Sequence, residues 1–355
     1  MSGPLHGLRV LEFEAIGPVP HAVSLLTSLG AEAVRVRRPH THSHRDPSPF
    51  AGITTSADLT DPAAVAEIEH LIEHCDVLIE GYRPGVLERR GLGPDVALAR
   101  NPGLIYARMT GWGQTGPRAS EAGHDLNYIG LTGALDLIGT PEEPLPPLNL
   151  VGDYGGGSML VVIGILAALH ERARSGRGQV VDAAIVDGTA TMLAPFAAGM
   201  AAGVWKPQRA ANVIDGGAPY YRTYRCADGR FVAVGAIEEP FYRTLTETLG
   251  LDDLPDRHDR TTWPVLRERF AEVFATADRD TWAARFAGTD ACVTPVLTLD
   301  EANDDAHLQS RGVLDAEGRR SGAPRFSRSA TGPLGGSGTT TDMPPADIID
   351  MWRNR

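Results

Sequence analysis

Residues 8–36 read LRVLEFEAIGPVPHAVSLLTSLGAEAVRV, and the succession of periodicities along them decides the fold. Leu8 to Phe13 is an apolar run of strand length. Gly17, Pro18 and Pro20 turn the chain, Ala22 to Leu29 places apolar residues at helical spacing up to Gly30, and Val34 to Val36 is a second short strand. Strand, helix and strand in this order build a parallel sheet, because only a crossover can lay the second strand beside the first in the same direction. The pattern continues outward. Ala64 to Ile72 reads as helix, Val77 to Ile79 as strand, Pro94 to Ala99 as short helix and Leu104 to Ala107 as strand. Ser158 to Arg174 reads as a helix stopping at Gly176, and Gln179 to Val186 as another strand. The class is α/β with parallel strands.

A second domain follows. After the Ala/Met-rich stretch 189–202 the chain turns Gly- and Pro-rich over 203–219, as a linker does. Tyr220 to Arg225, Asp228-Gly229 and Phe231 to Val234 then form a hairpin signal. Helical patterns at 240–248, 264–275 and 279–287 make this domain α+β. Residues 316–344 are loop-like, and 345–352 read as a short helix. The expected division is a large domain over 1–200 completed by 320–355, a linker at 201–219, and a small domain over 220–319. No internal repeat or heptad run occurs.

Composition excludes several functions. The chain has 355 residues, and 33 Lys+Arg against 45 Asp+Glu leave a net charge of −12, so polyanions such as nucleic acids are not expected partners. Lys206 is the only lysine and sits in an exposed-looking Trp-Lys-Pro bend, which argues against Schiff-base and pyridoxal chemistry. A phosphate loop ending in Gly-Lys-Ser/Thr is absent. Cys75, Cys226 and Cys292 lie far apart, without disulfide or zinc spacing, and fit a reducing cytoplasm. The longest apolar run, Met159 to Leu169, is shorter than the roughly 20 residues of a membrane span, and the N-terminus has no signal pattern, so a soluble, cytoplasmic protein with no membrane partner is expected.

A dinucleotide site is the first idea for such an opening unit, but the turn at Glu14 to Pro20 lacks the three-glycine fingerprint. Arg37 and Arg38 stand where an acid would hold a ribose. Those arginines suit a phosphate or an adenine face instead. Glycines crowd around His and Asp in Gly111 to Pro117, Gly123-His124-Asp125-Leu126-Asn127-Tyr128 and Gly152-Asp153-Tyr154-Gly155-Gly156-Gly157-Ser158, as where backbone approaches a ligand. Asp153 reads as a catalytic carboxylate or as a helix N-cap, and His124 as a base or as a turn histidine. His40, His42 and His44 alternate as metal ligands can, yet a polar loop offers them no scaffold, and no metal is expected. Ser158 and Ser327 lack a nucleophile-elbow context, and Glu142-Glu143 and Asp304-Asp305 read as solvated surface.

Two of the glycine-rich segments, taken with five others, resemble the α-methylacyl-CoA racemases of the family III CoA-transferase superfamily. The similarity is carried by residues 7–10 (GLRV), 31–36 (AEAVRV), 76–85 (DVLIEGYRPG), 106–117 (YARMTGWGQTGP) and 123–128 (GHDLNY). In the second domain it is carried by 215–221 (DGGAPYY) and 234–238 (VGAIE). The resemblance runs nearly end to end. It implies a Rossmann-like parallel-sheet large domain, a smaller domain, and an interlocked homodimer whose active site joins the large domain of one chain to the small domain of the other.

Carried over to these positions, the racemase acid/base pair falls on His124 and Asp153, with Glu238 near the histidine and Asp125 or Glu238 fixing its tautomer. The CoA portion of the substrate falls on Arg38, Ala57, Leu59, Gly81, Tyr82, Arg83, Arg89, Thr110 and Tyr128, and no separate cofactor is implied. Relatives usually have a lysine where Thr60 stands, and the loop 43–50 is shortened, which implies a weaker or altered hold on the CoA phosphates.

The chemistry agrees with this assignment. Inverting a carbon next to a thioester takes a proton from one face and returns one to the other, so two bases are needed. Amides around Gly155 to Ser158, at an expected helix start, would stabilise the enolate. The resemblance carries a rival, in which Asp153 is the nucleophile of a CoA-transferase working through a mixed anhydride and an aspartyl-CoA thioester. His124 in Gly-His-Asp-x-Asn-Tyr favours the racemases. A non-catalytic CoA-binding protein is a third reading. Met159, Met192 and Met200 read as core or as a pliable acyl surface.

Overall fold

The computed structural model describes residues 3–39, 50–314, 318–336 and 339–354. Ten strands form among them: β1 (Arg9–Phe13), β2 (Glu32–Arg37), β3 (Ile53–Ser56), β4 (Val77–Glu80), β5 (Ile105–Thr110), β6 (Gln179–Ala184), β7 (Tyr221–Arg225), β8 (Phe231–Gly235), β9 (Val293–Pro295) and β10 (Thr341–Asp342). The chain divides into two compact units. The large one comprises Met1–Thr132, Pro147–Leu193 and Ala306–Arg355, and the small one Gly133–Pro146 and Ala194–Asp305.

In the large unit seven strands form one sheet in the order β10-β3-β2-β1-β4-β5-β6, and every neighbouring pair is parallel. The chain builds outward from β1 to one side through β2 and β3, then crosses back to build β4, β5 and β6 on the other. The strand order thus reverses between β1 and β4, and in open parallel sheets such a reversal makes a crevice beyond the C-terminal ends of the two strands.

Both faces of this sheet are covered, which is why β4 reads as a continuous apolar run and all four of its residues are buried. Alternate side chains serve two cores. Val10, Val77, Ile79 and Ile105 pack with α1 (Pro18–Ser28) and Val161 and Ile165 of a long helix, while Leu11, Phe13, Leu78 and Tyr106 pack with α2 (Pro62–His74) and the C-terminal residues Ile348 and Trp352. Further helices α3 (Pro94–Arg100), α4 (Asp125–Leu131), α5 (Leu160–Ser175) and α6 (Ile185–Met192) follow the strands.

Three local readings are corrected. The long helix does not start at Ser158: helical turns begin at Leu148, Val151–Met159 is π-helical, and α5 continues to Ser175. This 28-residue stretch, of mean hydropathy 1.6 in its most apolar window, is long and apolar enough to cross a membrane by length and composition, which the run of uninterrupted apolar residues does not reveal. Its residues Val161, Val162, Ile165 and Ala168 are buried against the sheet. The sixth strand ends at Ala184, because Val186 already donates its amide to the Gly111 carbonyl (3.1 Å) as α6 begins. Two strands, β3 and β10, add to one side of the sheet, β10 from the stretch 316–344 that the sequence reads as loop.

In the small unit β7, β8 and β9 form an antiparallel sheet, with the expected hairpin turning at Gly229 (φ 79°). The helices α7 (Ala194–Ala201), α8 (Glu239–Leu249), α9 (Trp263–Phe274), α10 (Arg279–Phe286) and α11 (Leu299–Asn303) belong to it, and Tyr224, Phe270, Phe274 and Trp282 centre its core. Residues 201–219 pack into this unit. Asn212 is 1% exposed, and Arg209 donates to the carbonyls of Thr140 (2.9 Å) and Asp136 (2.9 Å). The chain re-enters the large unit at α12 (Ala306–Ser310) and finishes with β10 and α13 (Pro345–Arg353).

Candidate active site

The residues that the resemblance assigns to CoA gather at the C-terminal edge of the parallel sheet. Arg38 follows β2, Ala57 and Leu59 follow β3, Gly81, Tyr82 and Arg83 follow β4, and Thr110 ends β5. Ala57 donates its amide to the Arg37 carbonyl (2.9 Å), which sets it beside Arg38. The Arg38 guanidinium lies 5.0 Å from the centre of the Tyr82 ring, and Phe13 meets that ring edge-on at 6.2 Å. Burial pushes the Tyr82 phenol pKa up, with Arg38 opposing it.

Leu59 is partly buried against the core. Thr110 Oγ1 accepts the Gly113 amide (3.0 Å). Arg89 folds over Gly85, where a Cβ would come 2.8 Å from Nη1 and φ is +80°, so the position takes glycine on two counts. Thr60 is occupied locally, giving both its amide (2.9 Å) and its hydroxyl (2.7 Å) to Asp58 Oδ1. Inside the sheet beneath this edge, Arg35 pairs with Glu12 and Arg108 with Glu80, each at 2.9 Å and each between register partners.

A second cluster stands beside that edge in the large unit. His124 is exposed just before α4, its amide held by Asn127 Oδ1 (3.0 Å), and Asp125 opens the helix. Tyr128 is buried, donates its hydroxyl to the Gly123 carbonyl, and meets Trp112 edge-on at 4.7 Å. Asp153 lies in the π-helical turn, a rare form frequent at functional sites.

Two hydrogen bonds fix Asp153. Asp125 Oδ1 accepts its amide (2.7 Å), and Asn149 donates to its Oδ2 (3.3 Å). From the other side, a Cβ on Gly17 would come 3.2 Å from Oδ2, so the carboxylate faces the turn after β1, at the crevice. Gly152 is required by the first contact, since a Cβ there would fall 2.3 Å from Asp125 Oδ1. Ser158 ties the arrangement to α1 by donating to the carbonyls of Pro18 (2.8 Å) and Asp153 (3.1 Å).

The electrostatics couple these groups. Burial raises the Asp153 carboxyl above its usual range; the Asn149 hydrogen bond lowers it, Asp125 adds to the rise, and His124 draws it down. Tyr128 is raised by burial and by Asp153 and lowered by Arg83, which places an arginine of the CoA edge within electrostatic reach of the same phenol as Asp153. A histidine and a carboxylate that feel one another, set around a crevice, can pass a proton to and from a molecule held between them.

The structure brings His124, Asp125, Asp153 and Tyr128 together. Glu238 is carried by the small unit, exposed at the N-cap of α8, where it raises the Cys292 thiol after burial. The expected amide donors at Gly155 to Ser158 are corrected: inside a π-helical turn, amides from about Gly156 onward are committed to carbonyls five residues back.

Sequence reasoning missed Asn149 and Gly17. Asn149 stands four residues before Asp153, a spacing that reads as one helical turn only once the segment is known to be helical. Ile16, Leu148 and Leu150, exposed at 63%, 75% and 59%, flank the site, and Met159 and Met192 are also exposed while Met200 is half-buried in the small unit. Among the described residues no three His, Cys, Asp or Glu side chains converge as metal ligands. His40, His42 and His44 lie outside the described residues, as does most of the shortened loop.

The chain matches CoA-transferase family III over residues 5–346. It is 44% identical over 325 residues to the alpha-methylacyl-CoA racemase of Mus musculus, covering 90% of this chain and 85% of that protein. With the protein of the same name from Homo sapiens the identity is 41% over 324 residues, with the same shares covered. A crystal structure of a CaiB/BaiF family protein from Brucella suis is similar with a TM-score of 0.83 at 26% identity, covering 99% of this chain and 100% of that one.

Proposed function

This chain belongs to CoA-transferase family III, and on that premise we propose that it is an α-methylacyl-CoA racemase-like isomerase, inverting the 2-methyl stereocentre of acyl-CoA thioesters. The observation that carries the reading is the hydrogen bond from the Asp153 amide to Asp125 (2.7 Å), the residue next to His124, which sets the two candidate bases together beside the edge assigned to CoA. One of the pair removes the α-proton, leaving an enolate, and the other, already protonated, returns a proton to the opposite face. No group leaves and nothing is oxidised. Reversing the roles converts the other epimer.

The raised carboxyl of Asp153 suits this work, because burial makes its carboxylate a stronger base than a solvated one. Asp125 holds the Asp153 amide and Asn149 its carboxylate. Arg38, Ala57, Leu59, Gly81, Tyr82, Arg83, Arg89, Thr110 and Tyr128 take the CoA portion, which belongs to the substrate, and the reaction uses no further cofactor. The exposed apolar residues around Asp153 suit an acyl chain. The working form is the interlocked homodimer that the resemblance implies, which sedimentation tests, and a reducing cytoplasm suits three free cysteines.

The test is NMR of a single-enantiomer 2-methylacyl-CoA in deuterated buffer, with and without a free carboxylate acceptor. Deuterium at the α-carbon together with the opposite epimer, in the absence of acceptor, supports the isomerase. Movement of CoA to the acceptor with the α-proton retained overturns it in favour of transfer through Asp153.

A further inference from the structure

We propose that Arg108 is a positioning residue for CoA recognition, clasping both ends of the loop that runs from Gly81 to Arg89. Glu80, the last residue of β4, is 0% exposed, and Arg108, its register partner on β5, is 6% exposed. Arg108 Nε donates to Glu80 Oε1 (2.9 Å). The other oxygen, Glu80 Oε2, accepts the amide of Tyr82 (2.6 Å), the second residue of the loop. The far edge of the guanidinium, at Nη1, meets Glu88 Oε1 (2.9 Å), next to Arg89. One planar cation therefore joins the start of the loop to its end, and Tyr82, Arg83 and Arg89 are held between or beside the two points.

Two physical arguments raise this above ordinary packing. A buried ion pair is seldom the most stable filling for such a space, since an apolar pair of similar volume does as well, so its use here points to a demand on conformation. Arg108 also masks two carboxylates that would otherwise lie beside an anion site in a protein of net charge −12. Arginine alone can do both, because its fork offers two edges in one plane whereas lysine offers a single point of charge.

The inference rests on the reading of this loop as a CoA site, and the test separates the two. CoA affinity by calorimetry, and kcat and KM for racemisation, are measured on the full-length protein carrying Arg108→Lys, Glu88→Ala, Arg83→Ala or Arg89→Ala. Arg108→Lys keeps the charge but loses the second contact, and is expected to weaken CoA and raise KM on the order of tenfold with kcat little changed. Glu88→Ala touches only the half-exposed arm, so folding is not at issue, and the sign of its effect is diagnostic. Removing an acid beside an anion site tightens CoA by charge alone, whereas loss of the clasp weakens it, by about threefold.

Tighter or unchanged CoA binding in Glu88→Ala, or a fall in kcat at constant KM in Arg108→Lys, overturns the clasp. If Arg83→Ala and Arg89→Ala weaken CoA while the other two variants do not, the CoA site stands and the clasp alone fails. If all four bind CoA as the parent does, both readings fall.

Discussion

Asp153 is held between opposed influences: burial and Asp125 favour its protonated form, and Asn149 and His124 favour its charge. Activity that needs the carboxylate ionised should therefore fall off on the acid side at a higher pH than a solvated aspartate would give. Asn149→Ala removes a donor to the charged form, so that limb of the kcat/KM profile is expected to move to still higher pH, as a pH series will show. Replacing either base should cost racemisation on the order of 10²–10⁴-fold, measured for His124→Ala and Asp153→Asn by deuterium uptake. The same shift bears on stability. A carboxyl raised by folding favours the native state below its unfolded pKa, and that benefit is lost as pH rises through the raised value. Asp153→Asn should accordingly melt above the parent at pH 7, with the gap closing as pH falls toward about 4.

The π-helical element shows where packing outvotes propensity. Alanine is preferred to glycine inside a helix by about 1 kcal/mol, yet a Cβ on Gly156 would lie 2.6 Å from Thr189 Oγ1 and 2.8 Å from its amide, and one on Gly188 would lie 1.9 Å from the Gly156 carbonyl. Backbone cannot yield as a flexible side chain can. Gly188→Ala is therefore expected to destabilise by about 1–3 kcal/mol in denaturant unfolding, with loss of activity as the Asp153 turn shifts. These glycines also show what the sequence made legible. Runs such as VLIE in β4, fully buried on both faces, announced themselves, as did the hairpin at Asp228-Gly229. Three successive glycines read as the free start of a helix, and only the backbone of α6 pressed against them shows that they lie inside one. That His124 and Asp153 belong to one cluster was legible from their motifs. Asn149 was not, since its partner is reached through a turn whose helicity was hidden, and β3 and β10 were too short to carry a period.

Across the whole molecule the two units carry separate cores and separate electrostatic anchors. In the small unit Arg279 grips Glu301 with both terminal guanidinium nitrogens, at 2.8 Å each, and these hydrogen bonds hold the carboxyl down to about 2. A carboxyl depressed by folding stabilises the native state above its unfolded pKa, and the contribution is lost as pH falls from about 4.5 toward that value. Glu301→Gln should lower the thermal midpoint at pH 7, with parent and variant converging near pH 2 in circular dichroism melts. The division is legible in composition, though not at its edges, because residues 133–146 join the small unit only through tertiary contacts such as those of Arg209. The position of β10 carries a consequence for synthesis. A ribosome making this chain from its N-terminus delivers the entire inserted unit, aromatic core included, before it delivers the strand at Thr341–Asp342 that pairs with β3. Throughout that interval the nascent sheet presents β3 as a bare edge, the kind of surface that seeds misassembly between neighbouring chains. Translation speed over residues 194–340 thereby becomes a determinant of yield.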